Sequence, residues 1–501
     1  MNSFMNNLEA NTNYTFTENG GVAHRSTLNP VYDLFALGAS YRSRSDEDCI
    51  VLFMKAYDED PELALKCLFW IRDCRGGAGE RRFFRVVYHY LCEIEDKNAW
   101  FNLKNISEYG RWDDLIYIAL GTKFQDAAFE ILKKQLGLDI QCKTPSLCAK
   151  WMPSENASSY QTKAAANAFR KYLSMTHKQY RKMLSILRER INIVERLMSE
   201  NRWDEIEFDK IPSKAGLIYK NAFARRDIIK QKYETFAKSK DTKVNAATLY
   251  PYEVVAKAID NFGSWDPRTW IGTDVDRAMI NKYWENLPDY LNGKPMKMMC
   301  VVDTSGSMCG NSAAAPINIA ISLGMYCAER LGGPFKNHYI SFSSRPQLIE
   351  TIGTDFCDKV CRIYETNLCS NTNLAATFDL LLETAKKSDP EDIPETIVVI
   401  SDMEIDYMST GRWTEKTTQT EMEKIKAKWR AAGIKCPKLV YWNVQARHDV
   451  ILDAGPDVSF VSGASPTIFK QVLTGKTGWD LCLEAIDSPR YERIKLFKID
   501  F

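Results

Sequence analysis

The chain has 501 residues, too many for one hydrophobic core, so two or more domains are expected. Its 45% hydrophobic and 26% charged residues exclude a disordered or fibrous protein, and a formal net charge of +1 selects no class of partner by itself. No run of about 18 apolar residues is present to span a membrane.

The 14 cysteines form no CxxC pair and no Cys/His cluster at zinc-ligand spacing. Cys357, Cys361 and Cys369 come nearest, and free core thiols are the expectation for them. Residues 1–13 are polar and Asn-rich and lack the apolar segment of a secretory leader. Together with free thiols this points to a reducing, intracellular compartment, the cytoplasm, and is compatible with a viral source.

In chain order, residues 1–29 read as an extended polar arm carrying Gly20-Gly21 and Asn29-Pro30. Residues 30–291 carry helical periodicity, as in 48–55, 61–74, 81–93 and 112–119, where apolar residues recur three to four apart. Asp60-Pro61 has the form of a helix start, with a capping carboxylate before a proline at the first helical position. The segment from Arg75 to Arg82 (RGGAGERR) is not a phosphate loop, because it follows a helix and lacks the Gly-Lys-Ser/Thr that such a loop needs. Its glycines are expected to end one helix and turn into the next. Short helices joined by tight turns over such a length predict stacked helical repeats of the HEAT type.

Near Pro295 the pattern changes. Continuous apolar runs at 298–302, 338–342, 396–400, 439–442 and 458–461 alternate with helical segments at 314–331, 374–387, 416–432 and 466–473. This order predicts an α/β, doubly wound (Rossmann-like) domain over 292–475, with a parallel sheet and helices on both faces. Residues 476–501 form a tail with strand-like alternation that packs back on the rest of the chain.

The sharpest motif is Asp303-Thr304-Ser305-Gly306-Ser307, directly after the first apolar run of this domain. Ligands collect at the carboxyl ends of strands in open α/β sheets, and alternate residues of an extended segment point the same way. Asp303, Ser305 and Ser307 can thus offer one carboxylate and two hydroxyls to a common point. Thr372 precedes a predicted helix, and Asp402 follows the run 396–400 at the same sheet edge. Hard oxygen ligands suit Mg²⁺ or another divalent cation. The competing reading is a turn whose hydroxyls cap the next helix. No His or Cys base lies near the serines in sequence, so the site does not read as catalytic.

From Tyr160 to Ala246 the chain carries 20 Lys and Arg against 10 Asp and Glu, a local net charge of +10. Such asymmetry is the electrostatic footprint of a phosphate-binding surface. The candidate cations are Lys163, Arg170, Lys171, Lys178, Arg181 and Lys182 on one predicted helical stretch, and Lys214, Lys220, Arg225 and Arg226 in a second cluster. Interleaved rings such as Phe169, Tyr180, Trp203 and Phe223 suit either base stacking or core packing, and helical spacing favours the core for each.

The Asp-x-Ser-x-Ser loop, the distant Thr372 and Asp402 resemble, in type and order, the metal-ion-dependent adhesion site of von Willebrand A domains. Helical repeats followed by such a domain resemble the Ro autoantigen family, whose helical part is the TROVE module; the stretch 68–81 (LFWIRDCRGGAGER) carries that likeness. Asn29-Pro30 and the stretches 109–115 (YGRWDDL), 150–154 (KWMPS) and 211–215 (IPSKA) resemble an uncharacterised family of the same layout in viruses and plants. The Ro resemblance implies a ring of helical repeats closed by the A domain, with RNA bound in the hole and on a basic outer surface as a ribonucleoprotein.

Three functions follow as expectations. The leading one is a non-enzymatic RNA-binding protein, monomeric and free of membrane, whose A domain closes the ring or recruits a partner. The second is a protein-interaction module without an RNA role, in which the metal accepts a carboxylate from a protein partner. The third is a metal-dependent nuclease built on Asp303, Asp402 and Glu404 or Asp406, for which alternating carboxylates are the sole support.

Overall fold

The computed structural model describes residues 13–498 apart from 192, 264–267, 311, 343–345, 367–372, 406–419 and 454. Its contacts divide the chain into two compact units. One joins the residues up to Ser45 to Leu249–Ala485, and the other joins Asp46–Thr248 to the residues from Ile486 onward.

The first unit is built on a six-stranded sheet of β3 (Met298–Asp303), β4 (His338–Phe342), β5 (Gln347–Glu350), β6 (Thr396–Ser401), β7 (Lys438–Asn443) and β8 (Val458–Ser462), after a small hairpin of β1 (Tyr14–Phe16) and β2 (Val22–His24). The sheet order is β5-β4-β3-β6-β7-β8. Counted from β3, this is the doubly wound order 3-2-1-4-5-6, whose winding reverses between β3 and β6. Every pairing is parallel except β4 with β5. The sheet is therefore mixed, a correction to the all-parallel expectation. Only 343–346 join β4 to β5, which is too short for a crossover and forces the antiparallel return.

Nearly every side chain of β6, β7 and β8 is buried, on both alternating sets, so both faces of the sheet are covered. The helix Pro316–Arg330 packs on β3, β4 and β6. Its Gly324 lies so close to the sheet that a Cβ there would meet Val302 Cγ2 at 2.5 Å.

The division by contacts does not follow the boundaries expected at 29/30 and 291/292. The helix Pro30–Leu37, capped by the Asn29 side chain on Tyr32 N–H, lies on β8. Tyr32 Oη accepts from Phe460 N–H at 2.9 Å, and Ser462 Oγ donates to Phe35 O at 2.9 Å. Helices Pro251–Ile259 and Asp274–Glu285 also belong to the sheet unit. Arg277 forks onto Asp355 at 2.7 and 2.8 Å, and Trp284 stacks on Phe356 with centroids 4.2 Å apart. These partners lie far from each other in sequence, where periodicity carries no signal.

The second unit is helical. Asp60 caps the helix Pro61–Arg72 through Leu63 N–H at 2.9 Å, as its sequence predicts. Gly76-Gly77 then turns the chain toward the helix Arg82–Glu93, and a Cβ on Gly77 would stand 2.0 Å from Trp70 O. Phe69, Phe84, Tyr88 and Tyr109 form a buried cluster of edge-on rings. The end of the chain returns here without forming a strand over 492–498. Arg490 pairs with Asp73, Tyr491 stacks on Tyr109, and Asn102 donates to Lys495 O at 2.8 Å.

Candidate metal centre and basic surface

The Asp303 loop starts where β3 ends, at the switch point of the sheet. Asp303 Oδ1 accepts from Ser305 N–H at 2.9 Å, which folds the chain back on itself. Ser305 Oγ and Ser307 Oγ then lie 3.0 Å apart, so the two hydroxyls converge as alternation predicts. Parallel pairing with β6 brings in Ser401, whose Oγ donates to Asp303 Oδ2 at 2.5 Å, and Asp402 follows at the same edge. Thr372, the fifth expected ligand, lies outside the described residues.

Asp303, Ser305 and Asp402 are buried, at 0%, 1% and 1% exposure. Burial, reinforced by the Asp402 charge, pushes the Asp303 carboxyl up to about 7. Burial also raises Asp402, and its Oδ2 has no hydrogen-bond partner among the described residues. Among the described residues, the cation that approaches it is Arg447, whose Nε stands 3.7 Å from that oxygen. Two buried carboxylates with one orphaned oxygen and two convergent hydroxyls form a donor set of hard oxygens that a small divalent cation would satisfy.

Several residues around this edge escaped the sequence reading. Arg447 donates to Ser307 O and pairs with Glu18 at 3.0 Å. Thr17 Oγ1 donates to Ile405 O at 2.6 Å, and Glu18 N–H and Asn19 Nδ2 bind the Glu404 carboxylate and carbonyl. The expected arm is thus docked beside the candidate centre, over its described part. His448 Nδ1 bonds Glu404 Oε1 at 2.9 Å. Glu404, considered as a third acid for a nuclease, is thereby engaged by Glu18 and His448; Asp406 lies outside the described residues. Only the acidic Asp402-x-Glu404 spacing hinted at this second cluster, and no local pattern names Glu18 or Arg447.

In the helical unit, Lys163 and Lys171 lie on the helix Tyr160–Tyr172, and Lys178, Arg181 and Lys182 on His177–Ile191. All five are exposed and make no ion pair among the described residues. Lys214, Arg225 and Arg226 are exposed as well, with Arg226 over the Trp203 ring at 4.8 Å. Two expected surface cations are corrected. Lys220 is buried at 6% exposure, and Arg170 pairs with Glu155 at 3.0 Å and donates to Met175 O. Both stand on the inward face of their helices, which charge counting cannot distinguish. Phe169, Tyr180, Trp203 and Phe223 are buried core rings and offer no open stacking face.

Of the cysteines named in sequence, Cys357 and Cys361 are buried and Cys369 lies outside the described residues; among the described residues no helix is long and apolar enough to cross a membrane.

Comparison with known proteins places the sequence beside others without assigned roles. The family described as Domain of unknown function (DUF2828) matches residues 17–121 and 144–294, together just over half of the chain. Domain of unknown function (DUF7788) matches residues 297–488. An uncharacterized protein of Acanthamoeba polyphaga mimivirus is 29% identical over 93% of this chain and 85% of its own length. The crystal structure of Deinococcus radiodurans RO (RSR) protein is similar over 92% of this chain and 100% of that one, at 14% identity and a TM-score of 0.42.

Proposed function

We propose that this chain, which belongs to the DUF2828 family of unknown function, is a non-enzymatic RNA-binding protein whose sheet unit is a metal-holding, von Willebrand A-type domain. The observation that carries the RNA part is the set of exposed, unpaired cations Lys163, Lys171, Lys178, Arg181 and Lys182 within a segment of net charge +10. Cations left without carboxylates keep their field available to phosphates, and affinity of this origin falls steeply with salt.

In this reading Asp303, Ser305, Ser307 and Asp402 hold Mg²⁺, and Thr372 completes the set. A bound Mg²⁺ would supply a Lewis-acidic position for an acidic group of a partner. The chain's own residues do the rest: Ser401 and Ser305 N–H orient Asp303.

Electrophoretic mobility shift with mixed cellular RNA at low salt tests the RNA part. Binding by the wild type and its loss in the K178E/R181E/K182E variant, with an unchanged melting curve, is the expected result. No shift at low salt overturns it. A second reading, protein capture through the metal, draws on the orphaned Asp402 oxygen. It predicts an interaction that EDTA or Asp303→Ala abolishes and that salt barely alters.

A further inference from the structure

Three stretches singled out in the sequence, 68–81, 109–115 and 150–154, meet in one charge cluster of the helical unit. Asp114 Oδ2 accepts from Arg72 Nε at 2.9 Å, and Asp114 Oδ1 from Arg85 Nε at 2.6 Å. Asp113 accepts from Arg85 at 3.0 Å and from both Nε and Nη2 of Arg111, at 2.9 and 2.6 Å. Two carboxylates therefore serve three guanidiniums, and the cluster keeps surplus positive charge.

Two further cations add to that surplus. Arg81 is exposed and forms no ion pair or side-chain hydrogen bond among the described residues. It stands one turn before Arg85, whose N–H bonds Arg81 O at 3.0 Å, so the two side chains share a helix face. Partial desolvation by the neighbouring protein, together with the like charges of Arg111 and Arg85, holds the Arg81 guanidinium below its usual value. Glu80, its sequence neighbour, turns to Arg82 N–H at 2.8 Å. Lys150 lies 5.8 Å from the Trp151 ring centroid, and Arg111 lies over the same ring at 4.0 Å. Arg85 lies over Tyr117 at 4.5 Å.

The rings and carboxylates hold Arg85 and Arg111 in fixed planes, while Nη1 of each makes no hydrogen bond among the described residues. Oriented guanidinium donors with surplus charge are the arrangement that recognises a phosphate. We propose that Arg81, Arg85 and Arg111, with Lys150 at the rim, bind the phosphate group of an RNA strand. The proposal rests on the RNA reading above and names a second binding site for it, apart from the Lys163–Lys182 face.

The test uses the full chain with a fluorescein-labelled oligouridylate of about 12 nucleotides, followed by anisotropy across a salt titration. A parallel arm follows melting temperature against inorganic phosphate. Because Arg81 has no partner to lose, R81Q and R81E are expected to melt as the wild type does. Both should weaken RNA binding roughly 5- to 50-fold, and reduce the salt slope by about 0.7 for each phosphate left unneutralised. RNA binding by the wild type with the same affinity and slope in both variants overturns the site and leaves the RNA reading intact. Absence of RNA binding, with phosphate raising the melting temperature of the wild type and not of R81Q, overturns the RNA reading and the strand as ligand while leaving a free-phosphate site. No response to either ligand overturns both.

Discussion

Asp114 in the helical unit and Asp303 in the sheet unit are both fully buried carboxylates, yet their protonation is driven in opposite directions. Burial works to raise Asp114, and the Arg72 and Arg85 charges more than offset it, holding the carboxyl below its usual range. Asp303 meets another carboxylate instead, so burial and the Asp402 charge act together and push it up. Among the described residues, the helical cluster carries more cations than its acids need, whereas the sheet edge carries more acids than its cations answer. The first arrangement has its acids answered by guanidiniums; the second leaves a buried carboxylate oxygen that a cation would satisfy.

The largest expected effect tests the first half of that contrast. Asp114→Ala leaves Arg72, only 4% exposed, without its partner. A loss of about 3–5 kcal/mol is expected in urea denaturation, because an uncompensated charge stays buried. A loss under about 1 kcal/mol would mean that the network relaxes into solvent.

The second effect is metal linkage at the sheet edge. Mg²⁺ at 100 times its dissociation constant should stabilise the wild type by about 2.7 kcal/mol, read as a shift in thermal unfolding. Asp303→Asn and Asp402→Asn should abolish this response, and Asp114→Ala should keep it.

Third comes pH. Without metal, Asp303 titrates near 7 in the folded chain against about 3.9 unfolded. The folded state then holds the extra proton between those values, so stability is full below the lower one and falls as pH rises through the upper one. The slope reaches at most about 1.4 kcal/mol per pH unit. Urea titrations in EDTA from pH 4 to 8 should show the fall, and Asp303→Asn should flatten it. Stability that instead rises over this range would show that another group dominates.

The smallest effect concerns Arg447, whose Nε stands 3.7 Å from the orphaned Asp402 oxygen. Arg447→Met should cost under about 1 kcal/mol and tighten Mg²⁺ binding a few-fold, since the competing guanidinium is gone. Calorimetric titration with Mg²⁺ reads it, and weaker binding would mean that Arg447 holds the Ser307 loop in its binding shape.

Local spacing made the first part of the candidate site's geometry legible. Asp303, Ser305 and Ser307 lie on one extended turn, and the apolar runs placed Asp402 at the neighbouring strand end. Thr372 lies outside the described residues, so its part stays with the proposal. Ser401, Arg447 and Glu18 reach the centre through contacts about 100 to 430 residues apart, which no sequence window contains. The same reason hid the docking of residues 13–45 on the sheet unit. Charge counting found the basic segment and could not tell an outward lysine from Lys220, which the helix turns inward.

The hairpin before Arg25 has a consequence for synthesis. His24 N–H bonds Ile451 O and Ile451 N–H bonds His24 O, so this seam joins residues made far apart in time. At roughly 5–20 residues per second, the nascent hairpin waits on the order of 20–80 seconds for its mate. Asp46–Thr248 emerges meanwhile, and its own second segment, from Ile486, is made only after Leu249–Ala485. Neither unit can therefore be excised by a single cut, and a truncation from either side strands part of both.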